Sequence, residues 1–242
     1  MVEKELSLAL VTGAAHRLGR AFAVCLGRLG YAVLLHYNSS DHEAREAAEE
    51  IGSLGVPVYS FKADLANPAE IESLFSYVDS LPHTLQILVN SAAIMHRGDI
   101  RTLSTGEWDA TMALNLRTPF LMAQGAAPRM KENGLIVNIT DAGIARTWTG
   151  FPAYLVSKSG LAALTKVLAK ALAPSLRVNA IAPGLVLPSK DLLDSEWQRL
   201  VERLPLKRQT REEDITAALE FLIKNTSITG QTIVVDGGYS LV

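Results

Sequence analysis

Two hydrophobic patterns alternate along the chain. Short apolar runs rich in β-branched residues predict strands at Leu8–Val11, Ala32–His36, Val58–Lys62, Ile87–Asn90, Leu135–Thr140, Val178–Ala182 and Thr232–Val235. Between them, apolar residues recur at helical spacing and predict helices at Leu18–Leu29, Glu43–Leu54, Ala69–Ser80, Trp108–Ala126, Ala153–Ala173 and Arg211–Lys224.

This alternation predicts the fold class. Strands that take turns with helices form right-handed crossovers and a parallel sheet, and near-continuous apolar strands need helices on both faces. We predict one doubly wound, Rossmann-type α/β domain over residues 1–242, with about seven parallel strands. Residues 185–208 interrupt the alternation with a short helix-like piece, Leu192–Leu204, and are predicted to form a lid over the substrate.

Composition narrows the possible partners. The 242 residues are 48% hydrophobic and 20% charged, as in one large globular domain. The formal net charge of −2, with mixed signs along the chain, gives no basic patch for nucleic acid or a membrane surface. We expect small-molecule substrates or copies of the same chain as partners.

The single cysteine and the first residues suggest a cytoplasmic protein. Cys25 permits no internal disulfide and falls with Phe22, Leu26 and Leu29 on a predicted buried helix face. Met1–Leu6 has no signal-peptide pattern, and no apolar run approaches the roughly 20 residues that span a bilayer.

A glycine-containing turn follows the first predicted strand, in Thr12-Gly13-Ala14-Ala15-His16-Arg17-Leu18-Gly19. Ligands of this fold bind beyond the carboxyl ends of the strands. Gly13 would let the backbone approach a pyrophosphate, the next helix would supply amides, and Gly19 would permit close packing. By itself, such a pair of glycines is also compatible with an ordinary turn.

The second strand ends in His36-Tyr37-Asn38-Ser39-Ser40, where an NAD-dependent enzyme would place an acid for the ribose. Asp41 comes later and is better explained as the start of the next helix. The small hydrogen-bond donors of this segment, together with Arg17, would instead bind a 2′-phosphate, which favours NADP over NAD. The alternative is a solvent-facing arginine beside a polar loop.

Tyr154 and Lys158 are four residues apart and share one helix face. A phenol titrates near pH ~10, and a neighbouring ammonium is expected to lower its pKa, so that the pair acts as a general acid. The spacing alone is also typical of a surface pair.

Taken with other motifs, these residues resemble the short-chain dehydrogenase/reductase family along essentially the whole chain. The further matches are Asp64, Asn90-Ser91-Ala92-Ala93, Asn115, Pro183-Gly184 and Asp236-Gly237-Gly238. The resemblance implies that Tyr154 is the acid/base, Lys158 holds the nicotinamide ribose and Asn115 supports a water-linked proton relay. It also implies a homotetramer, and a cofactor site at Gly13, Arg17, Leu18, Gly19, His36, Tyr37, Asn38, Ser39, Ser40, Asp64, Leu65, Asn90, Ala92, Lys158, Pro183 and Gly184.

Two departures from the family pattern resemble its pteridine reductase branch. Arg17 replaces the middle glycine, and Asp141 stands where a serine is usual, thirteen residues before Tyr154. The resemblance implies an NADPH-dependent reductase of pterins, of the dihydrobiopterin, dihydromonapterin or dihydrofolate type. Chemistry agrees, because an aspartate can accept from ring N–H groups and relay a proton when protonated. An ionised Asp141 would raise the phenol pKa and oppose Lys158. Alternatively, Asp141 only caps a turn.

The predicted substrate pocket contains Arg17, Asp141 and Tyr154, with walls from Trp148, Phe151 and, more weakly, Trp197. Met95 occupies a position where pteridine reductases stack an aromatic residue on the pterin, and it constrains a ring less. No metal site is expected, because the histidines at 16, 42, 83 and 96 lack ligand spacing.

Two other functions remain open at this point. One is an NADP-dependent ketone or alcohol oxidoreductase, such as an oxoacyl reductase. The other is a dinucleotide sensor without catalysis, although such a sensor needs neither Tyr154 nor Lys158.

Overall fold

The computed structural model describes residues 6–188 and 192–242. They form one parallel sheet in the order β3-β2-β1-β4-β5-β6-β7, which confirms the predicted single-domain α/β fold. The strands are β1 (Leu8–Val11), β2 (Ala32–Tyr37), β3 (Val58–Lys62), β4 (Leu85–Asn90), β5 (Met130–Ile139), β6 (Leu176–Pro183) and β7 (Thr232–Val235).

Helices cover both faces of the sheet, as the apolar strands require. They are α1 (Arg17–Arg28), α2 (Asp41–Gly52), α3 (Pro68–Ser80), α4 (Thr105–Met112), α5 (Thr118–Ala126), α6 (Pro152–Leu172), α7 (Asp194–Arg203) and α8 (Glu212–Lys224). Buried side chains of α1, α2 and α8 pack on one face, and those of α3, α5 and α6 pack on the other. No helix in these two stretches has the length and apolarity to cross a bilayer.

Several predicted bounds differ from those of the structure, and three differences have a physical explanation or consequence. The helix predicted at Trp108–Ala126 begins at Thr105, because Ser104 and Glu107 form a capping box, and it contains a π-helical stretch at Ala113–Arg117. Strand β5 begins at Met130 rather than Leu135, since Met130 already pairs with Leu85 of β4 before the register shift. Leu29 is 37% exposed, whereas Cys25 is buried as predicted.

The strand order reverses between β1 and β4, so the loops after these strands diverge and leave a crevice. A buried polar chain braces the sheet beside this crevice. Asn90 donates to Asn138 at 2.9 Å, and Asn138 donates to Thr165 of α6 at 3.0 Å. These two hydrogen bonds fix β4, β5 and α6 against one another.

Candidate active site

A cavity of about 740 Å³ lies at the carboxyl ends of the strands, beside the point where the strand order reverses. Its lining combines the turn after β1, the loop after β4, the start of α6 and the segment after β6. Predicted residues in this lining are Gly13, Arg17, Leu18, Gly19, Ala92, Met95, Asp141, Trp148, Phe151, Tyr154, Lys158, Pro183, Gly184 and Trp197.

The turn after β1 is held tightly against the loop after β4. The Thr12 hydroxyl oxygen accepts from the backbone amides of Ser91 and Ala92, each at 3.0 Å. Gly13 has a φ of +65°, and a Cβ there would lie 2.9 Å from the Ala92 Cα. Only glycine therefore fits this position.

Helix α1 offers an anion site at the start of the cavity. His16 precedes the helix and makes no side-chain hydrogen bond to its first turn. A Cβ on Gly19 would lie 2.0 Å from the Gly13 carbonyl oxygen, so the first turn packs directly on the glycine turn. Unpaired amides at a helix N-terminus suit a phosphate, and these residues fit a dinucleotide.

Arg17 adopts a left-handed backbone conformation, with a φ of 54°. This conformation is the one that glycine adopts most readily. The guanidinium turns across the cavity mouth and donates to the carbonyl oxygens of Leu187, at 2.9 Å, and Pro188, at 3.0 Å. In this state Arg17 holds the segment after β6 rather than the loop after β2.

His36, which was predicted to contact a cofactor, is buried and bonded within the protein. The Gly13 amide donates to its Nδ1 at 3.2 Å, so Nε2 carries the proton and donates to the Ala63 carbonyl oxygen at 2.9 Å. Burial lowers the pKa of His36, although Asp64 and Glu70 oppose the shift. The neutral ring thus positions the glycine turn.

The remaining predicted adenine-side residues lie at the ends of β2 and β3, outside the cavity lining. They are Tyr37, Asn38, Ser39, Ser40, Asp64 and Leu65, of which Leu65 is fully buried. Asp41 begins α2 as predicted and accepts from Lys62 at 2.7 Å. Sequence reasoning missed Lys62, a cation that lies beside Tyr37 at the end of β3; only its place at the end of this strand could have indicated it.

Tyr154 and Asp141 meet at the floor of the cavity. The phenol donates to Asp141 Oδ2 at 2.7 Å, while Oδ1 accepts from the Gly143 amide, also at 2.7 Å. Asp141 therefore caps the short 3₁₀ turn at Ala142–Ala145 and also binds the phenol. The turn cap considered for this residue is present, and the bond to the phenol comes in addition to it.

Lys158 lies under the tyrosine, with Nζ 5.7 Å from the ring centroid. Nζ donates to the Ile139 carbonyl oxygen at 2.6 Å. An ammonium has three donors, so this contact leaves capacity for a ribose hydroxyl.

The pKa values of the three groups shift toward their neutral forms. Burial raises the pKa of Asp141 and lowers that of Lys158 to about 8. Burial and the neighbouring Asp141 raise the pKa of Tyr154 well above its usual value. The expectation that Lys158 lowers the phenol pKa is thus wrong for this state, whereas the expected opposition from Asp141 is present.

Asn115 does not line the cavity and lies fully buried in the π-helical stretch. Its amide donates to the Ile94 carbonyl oxygen at 2.8 Å and to the Ser157 hydroxyl at 3.1 Å, and its oxygen accepts from the Ile94 amide. It joins the loop after β4 to α6. Asn90 is also buried and bonds Asn138 instead of facing the cavity.

Aromatic side chains form one wall of the cavity. The Trp148 ring lies 5.9 Å from Phe151 and 5.8 Å from Tyr239, centroid to centroid, in edge-on contacts. Met95 is 45% exposed at the mouth. Sequence reasoning missed Tyr239 and Arg97, both in the lining; the aromatic that follows Asp236-Gly237-Gly238 was the available signal for Tyr239.

The predicted lid also contributes to the lining of the cavity. Leu185, Val186, Leu187, Leu192, Trp197 and Leu200 lie in the lining. Helix α7 corresponds to the predicted helix-like piece, with slightly shorter bounds. Residues 189–191 of the lid lie outside the described residues. No cluster of metal-ligating side chains occurs within residues 6–188 and 192–242.

Comparisons with known proteins identify the family. A family model described as Enoyl-(Acyl carrier protein) reductase matches residues 13–240. The 3-oxoacyl-(acyl-carrier-protein) reductase FabG of Staphylococcus epidermidis is 34% identical over 95% of this chain and 97% of its own. The chain belongs to the short-chain dehydrogenase/reductase family.

Two solved structures of the family are similar throughout. FolM Alternative dihydrofolate reductase 1 from Brucella canis, complexed with NADP, is 34% identical with a TM-score of 0.92, covering 98% of this chain and 94% of its own. A short chain dehydrogenase from Burkholderia cenocepacia, also with NADP, is 29% identical with a TM-score of 0.91, covering 96% and 97%. The family uses a nicotinamide dinucleotide as its cofactor.

His36→Leu should destabilise the protein by about 1–3 kcal/mol, because the Gly13 amide and the Ala63 carbonyl lose buried partners. His36→Asn retains an acceptor near Nδ1 and should cost less. His42→Leu, on an exposed side chain of α2, is the control and should change the free energy of unfolding by less than about 0.5 kcal/mol. Denaturant titration measures all three, and equal effects of the two leucine variants would contradict the role of His36.

Asp141 should make the free energy of unfolding depend on pH. Its pKa is raised above the ordinary 3.8, so the folded state binds the proton more tightly than the unfolded state. Stability should therefore fall as pH rises from about 4 through the raised pKa. The Asp141→Asn variant should lack this slope. Its altered hydrogen bonds should change the free energy of unfolding by the same amount at every pH. Parallel stability curves between about pH 4 and 7 would show that the carboxyl is not perturbed.

Proposed function

We propose that the protein is an NADPH-dependent reductase of a dihydropterin. The observation that carries the proposal is the placement of Asp141: one carboxyl oxygen binds the Tyr154 phenol in the cavity, and burial raises its pKa toward neutrality. Such a carboxyl can accept from a ring N–H or deliver a proton. The similarity to a FolM Alternative dihydrofolate reductase agrees with this chemistry.

A bound NADPH would supply hydride to the carbon of a ring C=N bond. Tyr154 then gives its proton to the nitrogen, and Asp141, when protonated, returns one to the phenolate. The Lys158 ammonium stabilises the transient phenolate through its charge. Asn115 acts indirectly, because its bonds to Ile94 and Ser157 position the cavity wall and α6.

We propose NADPH rather than NADH because the end of β2 offers no free acid. The Asp41 carboxylate is paired with Lys62, and the Lys62 pairing lowers the pKa of that carboxyl. Asn38 and Ser39 are exposed beside this pair. Arg17 would reach a 2′-phosphate by releasing Leu187 and Pro188, which would also free the lid.

A second candidate is reduction of a 3-oxoacyl thioester. The 34% identity to FabG of Staphylococcus epidermidis over nearly the whole chain favours it. A ketone oxygen needs a donor where this chain has Asp141 in place of a hydroxyl, so we rank it second.

We also propose a cytoplasmic homotetramer. Exposed apolar residues on α5 and α6, namely Phe120, Val156 and Val167, support an assembly that buries these helices.

The cofactor proposal predicts that NADPH binds more tightly than NADH by about 1–3 kcal/mol. Arg17→Gly should abolish most of this preference without backbone strain, since glycine readily adopts the φ of 54°. Fluorescence titration with both cofactors measures the effect, and NADH affinity serves as the internal control. Equal affinities in the unmutated protein would reject the proposal.

The substrate proposal predicts that Asp141→Ser keeps NADPH affinity and lowers dihydropterin turnover by about 10²–10⁴-fold. Carbonyl reduction should survive or improve, because serine supplies a hydroxyl donor. Tyr154→Phe should impair both activities. Steady-state assays with NADPH on pterin and 3-oxoacyl substrates separate these outcomes; undiminished pterin turnover in Asp141→Ser would move the oxoacyl reductase to first place.

A further inference from the structure

A second cavity, of about 330 Å³, adjoins the first. Its lining consists of Arg146, Leu200, Arg203, Tyr239 and Val242. Leu200 and Tyr239 line both cavities, so the two cavities share a wall. The second cavity lies where the loop before α6 faces the lid helix α7.

The two arginines of this cavity are cations without a bound carboxylate. Neither forms an ion pair with the acidic residues that the structure describes, whereas the nearby Arg208 and Arg211 both approach Asp214. The Arg146 guanidinium stacks on the Tyr239 ring, 4.6 Å from its centroid. The same guanidinium also donates to the Tyr239 phenol, and because it carries five N–H donors it retains others for an anion.

An aromatic path connects these cations to the candidate catalytic groups. Tyr239 contacts Trp148, and Trp148 contacts Phe151, both in edge-on geometry. All three rings line the cavity that contains Tyr154. A ligand that places its reacting ring at Tyr154 can therefore extend along this wall toward Arg146.

We propose that Arg146 and Arg203 form a subsite for the anionic tail of the substrate. The carboxylate is the anion that best matches a guanidinium edge, and an aryl group suits the aromatic path. Resting on the proposed function, this inference narrows the substrate to dihydropterins with an aryl and carboxylate tail, as in dihydrofolate. Compact pterins without a tail would leave the second cavity unused.

The test compares kcat/KM for dihydrofolate and for dihydrobiopterin, which has no anionic tail, with NADPH. Arg146→Gln and Arg203→Gln should each lower the dihydrofolate to dihydrobiopterin ratio by roughly three- to tenfold, mainly through KM, and the double variant should lower it further. Arg146→Lys should retain part of the ratio. Arg199→Gln, on an exposed residue of α7 that lines neither cavity, is the matched control.

Ionic strength provides an independent readout. Added salt should lower the ratio in the unmutated protein and leave it unchanged in the double variant. Salt also weakens NADPH binding, but that effect is common to both substrates and cancels in the ratio.

Each alternative outcome has a distinct meaning. An unchanged ratio in the double variant, with dihydrobiopterin still reduced, would overturn the subsite alone. If the unmutated protein reduces neither pterin, the proposed function fails and the subsite with it. Acetoacetyl-coenzyme A, whose tail carries phosphates, is assayed as a third substrate. If the double variant loses kcat/KM only for this substrate, the subsite binds a phosphate tail rather than a carboxylate tail, and the proposal is overturned.

Discussion

Removal of water from the cavity floor is the constraint on which the site depends. Tyr154, Asp141 and Lys158 come together where each charged form loses hydration, and the pKa of each group shifts in the direction that favours its uncharged form. Two short hydrogen bonds, from the phenol to Asp141 and from Nζ to Ile139, offset part of the cost. Tyr154 and Asp141 are joined by one hydrogen bond, so their protonation states are coupled and neither group titrates independently of the other.

The parallel sheet explains why these groups meet. Asp141 follows β5, and Tyr154 lies in the first turn of α6, so the carboxyl edge of the sheet collects both. The spacing of apolar residues follows the period of a helix or a strand, so the elements could be predicted from the sequence. The location of the site could be predicted as well, because ligands of this fold bind at the carboxyl edge of the sheet. The capping box at Ser104 and Glu107 was equally visible in the sequence, but the apolar pattern alone does not contain it.

Side-chain direction could not be predicted in the same way. His36 and Asn90 stand at strand ends, where a polar residue can face a ligand or bind the protein. The choice depends on partners far along the chain: Gly13 and Ala63 for His36, and Asn138 for Asn90. Arg17 illustrates the same limit, since it reaches Leu187 and Pro188 some 170 residues away. The pKa shift of Tyr154 also depends on burial, which no spacing reveals.

The lone pairs of Asp141 give a physical reason to favour a pterin over a ketone. Its Oδ1 accepts from the Gly143 amide, which leaves Oδ2 to contact a substrate. Oδ2 already accepts from the Tyr154 phenol. An ionised carboxylate oxygen retains a further lone pair that can accept from a ring N–H or amino group, but it repels a ketone oxygen. A ketone would be bound only by the protonated form. Sequence similarity to oxoacyl reductases extends along nearly the whole chain, so the proposed preference for a pterin depends on this one side chain.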